Sequence, residues 1–321
     1  MSRLFDTAVT AIAPLIWGSS YIVTTQFLPN LDPLTVSVLR ALPAGLLLLY
    51  LARQLPTGHW IWKMFVLGAL NFAIFWTLLF FAAYRLPGGV AAVMGALQPF
   101  VVIFASRALL GLPIRTLSLV AVAAGGIGVA LLVLTPEASL DMWGVIAGIG
   151  GSASMALGTV LSRKWQPPVS ALTFTSWQLT AGGLLLLFFV PLAPTDWSSI
   201  TGTNLIGLAY LGLIGAAMTY IIWLRGIRRI LPSAASVLGL LSPLSATVLG
   251  WLVLNETLTP LQGVGMGVVL LSVLLGQYAL RSTSDSQSRH TLHGGSRDLQ
   301  ARSERAPRMV GMAKMARERS S

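Results

Sequence analysis

With 55% hydrophobic and only 10% charged residues among 321, and a mean hydropathy of +0.77, the chain cannot clothe a water-facing surface, because soluble domains carry about 25% charged residues. The net charge of +11 does not point to nucleic acid, since nine of the 21 lysines and arginines lie after Leu280 and most others flank apolar runs. The absence of cysteine excludes disulfides, thiolate-bound metal centres and thiol catalysis.

An all-α membrane protein is therefore expected. The opening Met-Ser-Arg-Leu-Phe-Asp leads into an apolar run of spanning length with no clear cleavage site after it, which reads as an uncleaved first helix. At about 20 mainly apolar residues per span, ten segments are expected, at 7–28, 32–53, 62–84, 87–106, 115–134, 142–163, 170–192, 203–225, 231–253 and 260–280. Short connections rich in proline and polar residues, such as Pro29-Asn30, Pro56-Thr57-Gly58 and Gln166-Pro167-Pro168, make neighbouring helices antiparallel.

Cations alternate between the loops. One side receives Arg3, Arg53, Lys63, Arg107, Arg115, Arg163, Lys164, Arg225, Arg228, Arg229 and the tail; the other receives Arg85, with Asp32, Glu137, Asp141, Asp196 and Glu256. By the positive-inside rule both termini are cytoplasmic. Residues 281–321 are polar and basic, and composition predicts a disordered cytoplasmic tail.

The chain also repeats itself. Residues 33–48 run parallel to 171–186, and Leu86–Pro99 matches Leu231–Pro243 with one residue of slippage. Two five-helix halves, 7–134 and 142–280, are the simplest account. Five being odd, the second half enters the membrane from the opposite side, so the repeats are inverted, a transporter architecture.

Arg40 lies seven residues after Pro33, about 10 Å into the membrane. An arginine at the centre of a span costs about 2.5–3.5 kcal/mol on insertion scales, so it is retained for packing partners or for function. Two readings stand: the side chain snorkels outward, toward the non-cytoplasmic carbonyls or Asp32, or it binds an anionic or carbonyl-bearing group of a substrate. Its repeat mate is the neutral Gln178. Trp17, Ser20, Tyr21 and Thr24 share one face of the first helix, and Asn71, Phe75 and Trp76 one face of the third. Such faces suit a partly aromatic organic ligand, and Gln98, Trp177 and Tyr220 join the candidate substrate-binding residues. Trp60, Trp62, Trp143 and Trp197, near segment ends, read as interfacial belts, whereas Trp17, Trp76, Trp177 and Trp223 lie deeper. Pro99 and Pro243 occupy matched depths in small-residue helices and are expected to kink them, for packing or for gating.

No carboxylate lies well inside a predicted span; Glu256, near an edge, is either a cap for the tenth helix or the leading candidate for coupling. No Walker pattern exists, and the three histidines, His59, His290 and His293, form no metal or triad spacing. Neither a cofactor, a metal nor an enzymatic activity is expected.

Trp17-Gly18-Ser19-Ser20, Arg40, Gln98-Pro99 and the stretch from Leu238-Gly-Leu-Leu-Ser-Pro243 through Asn255-Glu256-Thr-Leu-Thr-Pro260 together resemble the EamA-type transporters of the drug/metabolite transporter superfamily, over residues 7–280. Ala156-Leu-Gly-Thr159 and residues 173–183 look most like the branch of blue-pigment (indigoidine) exporters. The resemblance implies a bacterial inner-membrane exporter of a small organic metabolite, working as a secondary carrier. One departure is that Leu109-Leu-Gly-Leu-Pro113 has no acid where the second half has Glu256, which puts a symmetric role for that glutamate in doubt. A channel-like facilitator and a non-transporting scaffold or receptor share these features and remain open alternatives.

The orientation is testable on this cysteine-free chain. In intact cells a single cysteine replacing Glu137 should react with an impermeant maleimide, and one replacing Arg115 should not.

Overall fold

Polar caps start the helices where the apolar runs begin. In the computed structural model, which describes residues 3–29, 31–85, 94–133, 141–192, 200–254 and 259–278, Asp32 caps α2 (Pro33–Ala52) by accepting from the amides of Leu34 and Thr35. Asp141 does the same for α6 (Met142–Lys164) through Gly144, and Ser170 for α7 (Ala171–Phe189) through Thr173. Thr201 and Asn204 form a capping box at the start of the helix that begins at Gly202. Thr259 and Gln262 exchange the equivalent pair of bonds at the start of α10 (Pro260–Tyr278). Glu256, read from sequence as a possible cap there, lies outside the described residues.

The remaining helices are α1 (Arg3–Phe27), α3 (Trp60–Gly68 and Ile74–Arg85, joined by the π-helical Ala69–Ala73), α4 (Gln98–Leu110) and α5 (Thr116–Val133). α8 comprises Gly202–Ala209 and Thr219–Arg229 joined by the π-helical Tyr210–Met218, and α9 comprises Pro232–Leu238 and Leu241–Leu254. Among the described residues eight helices are long and apolar enough to cross a membrane: α1, α2, α3, α6, α7, α8, α9 and α10. The apolar helices α4 and Thr116–Leu131 of α5 are shorter. Part of the expected fourth segment, residues 87–93, lies outside the described set, as do the expected tail and Trp197. One compact unit holds Met1–Gln277; of the other, Tyr278–Ser321, only Tyr278 is described.

Pro99 and Pro243 do not bend continuous helices. Each follows a two-residue break, Ala96–Leu97 and Gly239–Leu240, and stands in the first turn of the helix that follows, where a missing N–H costs nothing. The helix axis is therefore interrupted ahead of the proline in both places.

The centre is the crossing of α2 and α7. A Cβ on Gly45 would stand 2.6 Å from the Thr180 amide nitrogen, and one on Gly183 would stand 2.8 Å from Leu42 Cα. In the repeat register Gly45 corresponds to Gly183 and Leu42 to Thr180, so the two close approaches fall at matching positions of the repeat. Glycine at both crossings lets the backbones touch, as membrane helix pairs require. Around this pair α6 packs on α3 and α4, while α1 packs on α8 and α9. Outward faces are apolar, with Phe188 80% exposed and Leu205 and Leu252 also bare, as lipid-facing surfaces must be.

Gly45→Val should lower the melting midpoint in detergent through a cost of about 1–3 kcal/mol or more, since backbone rather than a side-chain tip must yield. Gly95→Ala, with open space around its Cβ, should leave the midpoint unchanged.

Candidate functional site

Two π-helical segments aim the polar groups of this protein inward. A π turn widens the hydrogen-bond ladder by one residue and leaves carbonyls for other partners. In α8 the Gly215 carbonyl accepts from Arg40 Nη2 at 2.8 Å and from Thr219 Oγ1 at 2.9 Å, and Thr219 Oγ1 accepts from Trp17 Nε1 at 2.9 Å. Arg40 is only 6% exposed, and its Cζ sits 4.5 Å over the Trp76 ring. The guanidinium thus points between α3 and α8, and Asp32, its possible outward partner, caps α2 instead. The snorkelling reading of Arg40 does not hold. A desolvated cation–π contact is worth about 2 kcal/mol, and a hydrogen bond to a charged group about 1.5–3 kcal/mol. Together they offset the insertion cost of about 2.5–3.5 kcal/mol.

Aromatic rings continue the wall. Tyr220 lies 5.1 Å from Trp17, 4.6 Å from Phe72 and 6.3 Å from Trp76, and Trp17 lies 5.1 Å from Trp223. Three polar atoms on these side chains and their neighbours are buried without a protein partner: Arg40 Nε, Ser20 Oγ and Trp223 Nε1. Ser20 Oγ lies 3.7 Å from the place a Gly215 Cβ would occupy, and Arg40 Nη2 3.5 Å from it, so serine and guanidinium converge on the same glycine.

The second π segment carries Asn71. Its Nδ2 donates to Gln178 Oε1 at 2.9 Å and to Ser162 Oγ at 3.2 Å; Gln178 is fully buried and its Nε2 has no partner. This cluster is the counterpart of the Arg40 cluster. A Cβ on Gly68 would meet the Gln178 carbonyl oxygen at 2.8 Å, and one on Gly212 would meet the Arg40 carbonyl oxygen at 3.5 Å. Gly212 therefore corresponds to Gly68, which makes Gly215 the counterpart of Asn71 and Tyr220 that of Trp76. In one half an asparagine side chain binds a glutamine; in the other a bare glycine carbonyl binds an arginine.

The candidate residues thus divide. Trp17, Ser20, Arg40, Trp76 and Tyr220 come together, and Asn71 and Gln178 form the matching polar pair. Trp177 belongs to neither group; it donates its Nε1 to the Gln54 carbonyl beyond the end of α2. Gln98 is half-buried and Pro99 buried in the first turn of α4, which packs on α6 and α9. Tyr21 lies on α1 with its side chain outside the described residues, and Glu256 is outside them altogether. Sequence reasoning did not single out Phe72, Ser162, Gly215 or Thr219. The spacing Gly68, Asn71, Trp76 against Gly212, Gly215, Tyr220 was the signal that could have found the last helix pair. It also placed Asp6 outside the first span. Helix α1 starts at Arg3, and Asp6, 8% exposed, pairs with Arg225 at 2.8 Å and Arg229 at 3.2 Å. Among the described residues no cluster of His, Cys, Asp and Glu could hold a metal.

Long apolar helices with glycine crossings define a polytopic helical membrane protein. The profile of the EamA-like transporter family matches residues 7–134 and 142–276, and the chain belongs to that family. It is 45% identical to protein PecM of Dickeya dadantii, over 83% of this chain and 90% of that one. It is 29% identical to the uncharacterized inner membrane transporter YedA of Escherichia coli, over 81% and 87%. A WAT1-related chloroplastic protein of Arabidopsis thaliana is 31% identical over 81% of this chain and 66% of its own. A solved crystal structure at 18% identity shares the fold, with a TM-score of 0.73 over 87% of this chain and all of the other. The protein is a multi-pass transporter of the bacterial inner membrane.

Arg40→Met, which keeps the stem and removes the charge, should change the melting midpoint little, since an apolar group of similar volume commonly replaces a buried charge at small cost. Trp76→Ala should cost about 3–5 kcal/mol, because it leaves a cavity beneath a buried guanidinium.

Proposed function

We propose that the protein is a secondary transporter that exports a small, partly aromatic organic metabolite by alternating access. Its ten spans form two inverted five-helix halves, 7–134 and 142–280, with both termini and the 281–321 tail cytoplasmic. The observation that carries this reading is the Arg40 cluster: a cation held between α3 and α8 against Trp76, with unpartnered donors at Arg40 Nε and Trp223 Nε1. Buried donors without acceptors cost free energy, about 1–3 kcal/mol each, and a ligand bringing carboxylate or carbonyl oxygens supplies what they lack. Aromatic side chains supply the complementary apolar contact.

The paired exchange of Arg40 and Gly215 for Gln178 and Asn71 supports the two-fold relation of the halves, as do the two separate matches of the family profile. A site at the seam of inverted repeats is reached alternately from each side by rocking one group of helices against the other. Glu256 is the leading candidate for coupling to an ion gradient.

In inside-out vesicles containing the wild-type chain, untargeted metabolite profiling should find compounds accumulated inside against their gradient, and accumulation should collapse with the proton gradient. Arg40→Ala should cut that accumulation at least tenfold, the loss of about 1.4 kcal/mol of transition-state binding. Equal accumulation by both would refute the site.

A further inference from the structure

We propose that Arg163 and Arg228 form a crossed clasp that closes the arginine-rich end of the molecule between α6 and α8, and that the clasp must part before the Arg40 site can be reached from that end. The proposal rests on the alternating-access reading above.

The C-terminal turns of α6 and α8 lie side by side. The last carbonyls of a helix have no intrahelical partner and carry the negative end of its dipole. Arg163, in the last turn of α6, donates from Nη1 to the Ile227 carbonyl at 3.0 Å and to that of Arg228. Arg228, in the last turn of α8, donates in return from Nη1 to the Val169 carbonyl at 2.7 Å and from Nη2 to the Pro167 carbonyl at 3.3 Å, in the segment leaving α6. Each arginine thus grips the main chain beside the other. Asp6 works differently: it takes Arg225 and Arg229 as ion pairs and ties α8 to α1, its own packing partner.

What distinguishes the clasp is which helices it joins. α6 packs chiefly on α3 and α4, and α8 chiefly on α1 and α2; α6 and α8 touch each other only lightly, and the clasp spans that contact. Among the described residues at the opposite end, Asn204 Nδ2 donates to the Phe27 carbonyl between α8 and α1, and Arg85 pairs with Asp141 between α3 and α6, each between helices that pack closely. Carbonyl acceptors and guanidinium donors at a helix terminus both regain water when they separate, so the bonds can be exchanged rather than lost. The arrangement is that of a molecule closed at its arginine-rich end, which the distribution of cations makes the cytoplasmic one.

The test uses the full-length chain, cysteine-free, with Ser20→Cys as the single thiol beside the Arg40 site, and a membrane-impermeant maleimide applied to inside-out or right-side-out vesicles. Arg163→Gln with Arg228→Gln should raise the labelling rate from the cytoplasmic face about tenfold, the room available to an open state populated at a few per cent, and leave the other face unchanged or slower. Arg163→Lys with Arg228→Lys keeps the charge but loses the forked donation, and should give a smaller rise on the same face; it carries the test if the glutamine pair is not monodisperse in detergent. One-sided labelling untouched by either pair, or an equal rise from both faces, would overturn the clasp. Labelling of the parent at similar rates from both faces would overturn alternating access itself and the clasp with it.

Discussion

A guanidinium at membrane depth needs acceptors, and helices keep theirs for themselves. Arg40 is accommodated because the π-helical stretch of α8 offers the Gly215 carbonyl. Trp76 supplies a face for the cation, and the Trp17–Thr219–Gly215 chain holds the same carbonyl from the α1 side. Removing any one of these leaves the others around an unsatisfied charge. The aromatic cluster and the π segment are therefore one unit.

The two halves solve the same problem with different chemistry. At equivalent places on α2 and α7 the chain carries Arg40 and Gln178, and at equivalent places on α8 and α3 it carries Gly215 and Asn71. A long charged side chain meets a bare carbonyl in one case, and a shorter neutral one meets an amide in the other, so reach is conserved while charge is not. Gly45 and Gly183 approach the facing helix at matching positions of the repeat, while the polar residues at matching positions differ in charge.

Much of this was legible beforehand. Apolar run length located eight helices of spanning length because lipid imposes one length on them. Arg40, Trp76, Tyr220 and Gln178 stood out as polar or aromatic residues at depth. Gly215 did not, since a glycine in a small-residue helix looks the same whether it serves packing or frees a carbonyl. Trp177 looked like its deeper neighbours, but a side chain's target is set by helix rotation, and it turns toward the Gln54 carbonyl. The prolines were read as kinks because removal of one hydrogen bond is a local property. Whether the chain bends at the proline or breaks ahead of it depends on what α4 and α9 pack against.

Sequence by itself determined that this is a helical membrane protein with an internal repeat, a single arginine deep in its second span and a neutral mate for it in the second half. These follow from transfer free energies and from self-similarity, which need no partner. Only the tertiary structure decided that Arg40 points inward, that its acceptor is a backbone carbonyl on α8, and that Arg163 and Arg228 cross at the end of the molecule. Each of those depends on groups far apart in the chain being brought within 3 Å or so, and hydrogen-bond acceptors on the main chain carry no residue identity for a sequence to reveal.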